Sequence, residues 1–389
     1  MIMSRPAGIG SVKPVDWAYD RAPMIIYWEL TTACGLACRH CRASAQLEPP
    51  PGELTHDEAL HILDQVADFG SPMPHVIMTG GDPMRRFDLD ELIAEARNRG
   101  IGVSLSPAVT PLLTKQRIAD MAALGVQAMS LSLDGSTPEH HDGVRQVPGT
   151  FEATLQALAD ANEVGMPMQI NTLVTDTTVA DLEDIYELLK GYKLFQWSLF
   201  FLISVGRGAQ LREMTPGDAE RTLIEWNKRR PDAPFRIKTT EAMQYRRIIA
   251  QRLLRAGQTE EQIINSPASR GFGIRDGNGI MFISHLGEVM PSGFLPTSVG
   301  NVRDRSIVEL YRDTELMRAL RRPDGFKGDC GICEFNRWCG GSRARAYAWT
   351  GDPLESDPLC PYKPAAAKVG VHTQHPGTSQ SPAVSGATA

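Results

Sequence analysis

The sequence predicts an α/β protein built around a partial (β/α)6 barrel. Apolar, β-prone segments alternate with helical segments between residues 24 and 203. Strands that alternate with helices in this way pair in parallel through right-handed crossovers. Glycine-rich and polar motifs follow several of these strands, and parallel α/β architectures place their functional sites at the carboxyl ends of strands. Six units, rather than eight, indicate a barrel that does not close.

Each predicted element is bounded by its own pattern of apolar and turn-forming residues. The strands are Met24–Leu30, His75–Thr79, Gly102–Pro107, Ala128–Leu133, Met168–Val174 and Trp197–Ile203. The helices between them are Thr55–Phe69, Leu89–Arg99, Lys115–Leu124, Phe151–Val164 and Val179–Leu189. Thr55 and Glu58 have the spacing of a capping box at the start of the first helix.

The remainder of the chain predicts a second, smaller unit. Helices Asp218–Arg230 and Glu241–Ala256, a hairpin of Gly279–Ser284 and Glu288–Pro291, and helix Ser306–Leu320 precede a cysteine-rich region. The predicted organisation is an irregular lead-in (1–22), the barrel (23–210), a helical bridge (211–275), a cysteine-rich module (276–364) and a disordered tail (365–389). The tail is rich in small residues, Pro and Ser, a composition that forms no packed core.

Composition excludes several classes of protein. The 389 residues are 42% hydrophobic and 22% charged, with a formal net charge of -6, so bulk attraction to nucleic acid or to an anionic membrane is not expected. No apolar run approaches the ~20 residues of a membrane helix, and the first twenty residues contain no signal-peptide core. We therefore expect a cytoplasmic protein with no nucleic-acid or membrane partner.

Three of the seven cysteines lie within eight residues, Cys34, Cys38 and Cys41, in the pattern C-x3-C-x2-C. Three thiolates on one loop can hold three irons of a [4Fe–4S] cluster and leave the fourth iron open. A zinc site with His40 as fourth ligand is an alternative, although His40 lies between two of the cysteines. A disulfide with one free thiol is a third possibility, which an odd cysteine count in a cytoplasmic chain disfavours.

The other four cysteines form a second group: Cys330, Cys333, Cys339 and Cys360. Four thiolates satisfy either all four irons of a second cluster or one zinc ion. The spacing alone does not separate these two alternatives.

Two motifs follow predicted strands. Thr79–Pro83 contains Gly80, Gly81 and Asp82, and two glycines allow a backbone to approach a ligand closely. Ser130, Ser132 and Asp134 alternate along the fourth strand and so share one face of it. His141, Asp142 and Arg145 come shortly afterwards. Taken alone, each motif is equally compatible with an ordinary polar turn.

Together these motifs resemble the radical S-adenosylmethionine (SAM) superfamily, from about Ile25 to Tyr362. The resemblance implies a TIM-like partial barrel with a C-terminal SPASM or twitch module. It also implies a [4Fe–4S] cluster on Cys34, Cys38 and Cys41 that binds and reductively cleaves SAM, yielding a 5′-deoxyadenosyl radical that takes a hydrogen from the substrate. An external electron donor of the flavodoxin or ferredoxin type is implied as well. The residues that match SAM-contacting positions are Gly80, Gly81, Asp82, Ser132, Asp134, Arg145, Asn171 and Val205 with Gly206.

Departures from the family pattern are informative. Asp82 replaces the usual Glu after the two glycines, which shortens its reach by one methylene. Ser292 follows Gly287 after four intervening residues, at a position where the full SPASM pattern has a cysteine. The residues that are missing belong to the first auxiliary cluster, so we expect one auxiliary [4Fe–4S] cluster, fully ligated by the four late cysteines and suited to electron transfer.

Several stretches, among them Pro23–Thr31 and Cys339–Tyr347, are similar to the radical SAM proteins of alternative heme and d1-heme biosynthesis, which act on propionate side chains of iron tetrapyrroles. A maturase of a ribosomally made peptide is the alternative enzyme. A zinc-stabilised binding protein is the alternative without catalysis, and an electron carrier would not need a SAM-sized barrel. Arg343 and Arg345 either meet substrate carboxylates or pack around the second cluster. The pattern identifies no general acid or base and no particular substrate.

Overall fold

A computed structural model describes residues 18–368 of the chain. Most of the predicted lead-in and tail lie outside the described residues. The part of the tail that is described, at its beginning, forms a short helix, Ala365–Lys368.

A continuous sheet of eleven strands runs through the described part of the chain. Its main part consists of parallel strands that pair in chain order, as predicted for a partial barrel. These are β1 (Ile25–Glu29), β2 (His75–Thr79), β3 (Val103–Leu105), β4 (Ala128–Ser132), β5 (Met168–Val174), β6 (Gln196–Phe201) and β7 (Arg236–Thr240).

Helices cover the outside of this wall. They are α1 (His56–Ala67), α2 (Leu89–Asn98), α3 (Lys115–Ala123), α4 (Pro138–Arg145), α5 (Thr150–Val164), α6 (Leu182–Leu189), α7 (Pro216–Arg229) and α8 (Gln244–Arg255). The capping box of α1 is confirmed, because Thr55 accepts from the Glu58 N–H at 3.3 Å and donates its own N–H to the Glu58 carboxylate at 2.8 Å. The predicted helix Val179–Leu189 begins instead with a 3-10 turn at Thr178–Asp181.

The prediction of six strands is corrected to seven by β7. Its sequence, Arg-Ile-Lys-Thr-Thr, has one aliphatic side chain and two cations, so it carries little of the apolar signal that marks the other strands. It lies in the segment that was predicted as a helical bridge. The cations alternate with Ile237 and Thr239, which are buried, and this period of two is the signature of a half-buried strand.

The C-terminal unit continues the same sheet. The predicted hairpin is confirmed, and its first strand pairs in parallel with β1, with Trp28 opposite Ile283. The predicted helix Ser306–Leu320 is broken at Thr314, whose backbone is extended. The elements of this unit are α9 (Glu260–Ile264), β8 (Arg275–Asp276), β9 (Gly279–Ile283), β10 (Glu288–Met290), β11 (Gly300–Asn301), α10 (Ile307–Asp313), α11 (Glu315–Leu320), α12 (Gly328–Gly331), α13 (Arg343–Thr350) and α14 (Ala365–Lys368).

The two faces of the barrel wall differ in chemistry. Side chains that point outward, such as Leu131, Ile170 and Trp197, join the main hydrophobic core. The alternate positions point into the barrel, and on β4 to β7 most of them are polar: Ser130, Ser132, Gln169, Asn171, Gln196, Ser198, Arg236, Lys238 and Thr240. A polar interior wall indicates a ligand cavity rather than a packed core. No helix in residues 18–368 is long and apolar enough to span a bilayer.

Candidate functional site

The first cysteine group lies on the loop that follows β1. Cys34 and Cys38 are buried and Cys41 is partly exposed. Each sulfur accepts one N–H hydrogen bond, as suits a sulfur that carries negative charge. The donors are Leu36 N to Cys34 (3.4 Å), Arg145 Nη1 to Cys38 (3.5 Å) and Ala45 N to Cys41 (3.3 Å).

Gly80 and Gly81, after β2, pack against the backbone that leads into Cys34. The Gly81 N–H donates to Thr31 O at 2.7 Å, and the Asp82 N–H donates to Ala33 O at 2.8 Å. Gly80 has φ +150°, and a Cβ there would lie 2.3 Å from Thr31 O. In this structure, the two glycines therefore allow the backbone after β2 to approach the chain segment just before Cys34 closely.

Replacing Gly81 with alanine is expected to destabilise the protein and displace the cysteine loop. The new Cβ would lie 2.5 Å from Ala33 O, and backbone cannot move aside cheaply. Overpacking of this kind typically costs about 1–3 kcal/mol. The melting temperature and the iron retained after anaerobic reconstitution measure both effects. Gly143→Ala, in α4 with nothing within 4 Å of the new Cβ, is the control and should lower neither quantity, since alanine favours a helix more than glycine does. Equal behaviour of the two variants would refute the expectation.

Asp82 is completely buried, and its carboxylate is occupied by protein donors. Thr110 Oγ1 donates at 2.9 Å, and the N–H groups of Met84 and Ala108 donate at 3.2 and 3.4 Å. Burial raises the pKa of Asp82, and these hydrogen bonds only partly offset that effect. Asp82 therefore connects the end of β2 to the loop after β3 through hydrogen bonds. This structural role is additional to the SAM contact that the family motif implies.

Asp134 and Arg145 form a buried ion pair beside the cysteine loop. Arg145 Nη2 lies 2.5 Å from Asp134 Oδ2, while Nη1 donates to Cys38. Burial acts to raise the pKa of Asp134, but Arg145, the neighbouring His40 and His141 and the hydrogen bond from the Leu173 N–H together hold the pKa below its usual value. Arg145 Nε has no hydrogen-bond partner within the described chain. The guanidinium thus has a donor left for a ligand that carries a carboxylate.

The remaining predicted SAM positions lie along the same rim. Ser132 and Asn171 are opposite each other on β4 and β5 and face the barrel interior. Val205 and Gly206 follow β6, and Gly206 packs on the cysteine loop, where a Cβ would lie 2.4 Å from Arg42 O. The structure therefore brings all of the predicted positions to the carboxyl-end rim of the barrel.

A charged cluster that sequence reasoning missed lies beside the cysteine loop. Glu29, at the end of β1, is buried, forms an ion pair with Arg42 and is hydrogen-bonded to His285 Nδ1 at 2.6 Å. Burial acts to raise the pKa of Glu29, but these partners lower it below its usual value. The Arg42 guanidinium also stacks 4.6 Å above the Phe282 ring. No short motif contains this cluster, because His285 is 256 residues from Glu29.

The four late cysteines line one cavity, which is partly open to solvent. Cys330 Sγ accepts hydrogen bonds from Arg343 Nη2 and from the Asp357 N–H, both at 3.5 Å. At Gly341, a Cβ would lie 3.1 Å from the same sulfur. A cavity bordered by four thiols with N–H donors behind them fits a bound cluster.

Arg343 and Arg345, which follow Cys339 in the chain, are fully buried. Arg343 donates to the carbonyl oxygens of Pro353 and Glu355 and to Cys330. Arg343 therefore packs beside the second cysteine group, whereas Arg345 bonds to Glu213, Glu241 and Leu202, outside that group. Neither side chain is free to meet a substrate carboxylate in this structure.

Burial raises the pKa of the Cys34 and Cys333 thiols to about 11, and of the Cys339 and Cys360 thiols to about 12. His40 is also buried, which lowers its pKa to about 4 and keeps the imidazole neutral. Within residues 18–368, no three His, Cys, Asp or Glu side chains converge closely enough to hold a single metal ion.

Known proteins resemble this chain in both sequence and fold. The model of the radical SAM superfamily matches residues 28–189. The AdoMet-dependent heme synthase of Methanosarcina barkeri is 38% identical over 89% of this chain and 99% of its own length. The enzyme of the same name from Nitratidesulfovibrio vulgaris is 40% identical over 87% of this chain and 92% of its own length.

The fold also matches that of Streptococcus suis SuiB, solved with S-adenosylmethionine bound, with a TM-score of 0.67 at 18% identity over 87% of this chain and 77% of that one. Radical SAM enzymes use a [4Fe–4S] cluster and SAM, and an auxiliary cluster is consistent with SPASM-type relatives. Likeness along nearly the whole length of two enzymes named heme synthase shows that this chain is a radical SAM enzyme. It belongs to the radical SAM superfamily.

Proposed function

We propose that this enzyme converts propionate side chains of an iron tetrapyrrole into vinyl groups during heme biosynthesis. The observation that carries the proposal is the 38–40% identity, over 87–89% of the chain, to two enzymes named heme synthase. Heme has two vinyl groups where iron coproporphyrin III has propionates, so the chemistry that joins them is oxidative decarboxylation. The two compounds define the substrate and product that we propose.

The reaction balances without a further oxidant. Each propionate gives up one hydrogen atom to the deoxyadenosyl group of SAM, and its carboxylate leaves as CO2 while the two side-chain carbons become a vinyl group. The products are methionine, 5′-deoxyadenosine, CO2 and the vinyl compound. The electron that starts each turnover is released again when the carboxylate leaves. We propose that this electron first comes from a cytoplasmic donor of the flavodoxin or ferredoxin type.

The cysteines have separate proposed roles. Cys34, Cys38 and Cys41 would hold the [4Fe–4S] cluster that supplies the electron for SAM cleavage. Cys330, Cys333, Cys339 and Cys360 would hold an auxiliary [4Fe–4S] cluster that supplies a site for electron transfer. The N–H donors to Cys34, Cys38, Cys41 and Cys330 support this assignment, because hydrogen bonds to sulfur stabilise negative charge on a thiolate.

Residues at the rim of the barrel would orient SAM. Arg145 has an unpartnered Nε that can donate to the SAM carboxylate, and its pair with Asp134 fixes the plane of the guanidinium. Ser132 and Asn171 present a hydroxyl and an amide to the interior for the ribose. Gly80, Gly81 and Asp82 would line the methionine end, with Val205 beside the adenine.

The test is anaerobic conversion of iron coproporphyrin III by the reconstituted enzyme with SAM and dithionite. Mass spectrometry should show two successive losses of the elements of formic acid from the porphyrin. Formation of 5′-deoxyadenosine should keep pace with formation of vinyl groups. Cleavage of SAM without any change in the porphyrin would refute the substrate and turn attention to peptide substrates, while the radical SAM chemistry would stand.

A further inference from the structure

Strand β7 places Lys238 on the interior face of the barrel. Lys238 pairs with Ser198 on β6, and Ser198 pairs with Asn171 on β5. Neighbouring strands are about 4.8 Å apart, so the Lys238 backbone is about 10 Å from that of Asn171. Lys238 therefore lies level with Asn171, a residue proposed to contact SAM. The separation of the two residues is the one expected for a substrate that binds next to SAM.

The ammonium group of Lys238 has no hydrogen bond or ion pair within residues 18–368. The charged groups that act on it are Arg236 and Arg246, both positive. Burial and these two cations together lower the pKa of Lys238 to about 8, although the side chain is reached by solvent from the barrel interior. An anion bound beside the Lys238 ammonium would be attracted by this cation and by its two positive neighbours.

Four other arginines have partners within residues 18–368. Arg42 pairs with Glu29, and Arg145 pairs with Asp134. Arg343 donates to Glu355 O beside the second cysteine group, and Arg345 donates to Glu241 O at the end of β7. Lys238 thus differs from these four in presenting a charged donor to the cavity without an acceptor from the protein.

We propose that Lys238 binds a carboxylate of the substrate that the reaction leaves in place, and this rests on the proposed function. A salt bridge stabilises a carboxylate in its charged form and opposes its departure as neutral CO2. A propionate that becomes a vinyl group is thus a poor partner for Lys238. A propionate that heme retains is a suitable one, and holding it would orient the ring so that another propionate meets the deoxyadenosyl group.

The experiment measures binding by the reconstituted enzyme under anaerobic conditions, from the change in porphyrin absorbance. The probes are iron coproporphyrin III, with four propionates, and iron deuteroporphyrin IX, which has only the two propionates that heme retains. Lys238→Met should weaken the binding of both probes by about tenfold or more, the usual effect of losing a hydrogen bond to a charged group. Lys238→Arg, which keeps the charge, should restore most of the affinity.

Lys228→Met is the matched control, since Lys228 lies on the surface in α7 and contacts only Glu225. It should bind both probes like the wild type. Equal affinities of Lys238→Met and the wild type, in an enzyme that makes heme, would overturn this inference and leave the proposed function intact. Weakened binding of iron coproporphyrin III alone would overturn the assignment to a retained propionate. Failure of the wild type to bind either probe would overturn both proposals.

Discussion

Replacement of Cys34, Cys38 and Cys41 by alanine is expected to abolish SAM cleavage. Without these thiolates the enzyme has no cluster with an open iron, and 5′-deoxyadenosine should fall to background. The reconstituted wild type should contain about eight irons and the variant about four, because each [4Fe–4S] cluster holds four. Iron and sulfide analysis, together with chromatography of the nucleoside after dithionite reduction, measures both effects.

Arg39→Ala is the matched control for this triple variant. Arg39 is exposed between Cys38 and Cys41, and its backbone N–H, which bonds to Val144 O at 3.0 Å, is kept by alanine. The control should retain about eight irons and full SAM cleavage. Zinc in place of iron in the wild type, or 5′-deoxyadenosine production by the triple variant, would contradict the assignment of the first cysteine group.

Local patterns were sufficient to predict most of the barrel. The bounds of β2 and β5 agree with the prediction to the residue, because each is a compact apolar run between turn-forming residues. The capping box at Thr55 and the hairpin before the second cysteine group were likewise visible in the sequence. In each case the residues that determine the structure are neighbours in the chain, so a short window contains the whole signal.

The features that were not predicted depend on contacts between distant segments. Strand β7 is held by its pairing with β6, and its cations face an interior that no window of sequence reveals. Helix α4, which carries Arg145, was not predicted, and neither was the bond from Arg145 to Cys38, 107 residues away. The Glu29 cluster needs His285 from the C-terminal hairpin. All three features involve charged residues, and the charge of a side chain alone does not predict which partner it will contact.

Arg345 joins the auxiliary module to the barrel, and its removal is expected to be strongly destabilising. The side chain is 1% exposed. Its Nε lies 2.7 Å from Glu213 Oε2, Nη1 donates to Glu241 O at 2.7 Å, and Nη2 donates to Leu202 O at 2.9 Å. Leu202 and Glu241 directly follow β6 and β7, so one guanidinium fixes α13 against the ends of two barrel strands.

Arg345→Met should lower the free energy of unfolding by about 3–5 kcal/mol, because it leaves the Glu213 carboxylate buried without its cation. Arg337→Met is the control: Arg337 and Asp324 form an exposed pair 3.3 Å apart, and such pairs contribute about 0–1 kcal/mol. Thermal melting of the reconstituted proteins should therefore separate the two variants by several degrees. Equal melting temperatures would mean that the module docks independently of this guanidinium. A large difference would show that the contacts of Arg345 stabilise the docking of α13 against the ends of β6 and β7.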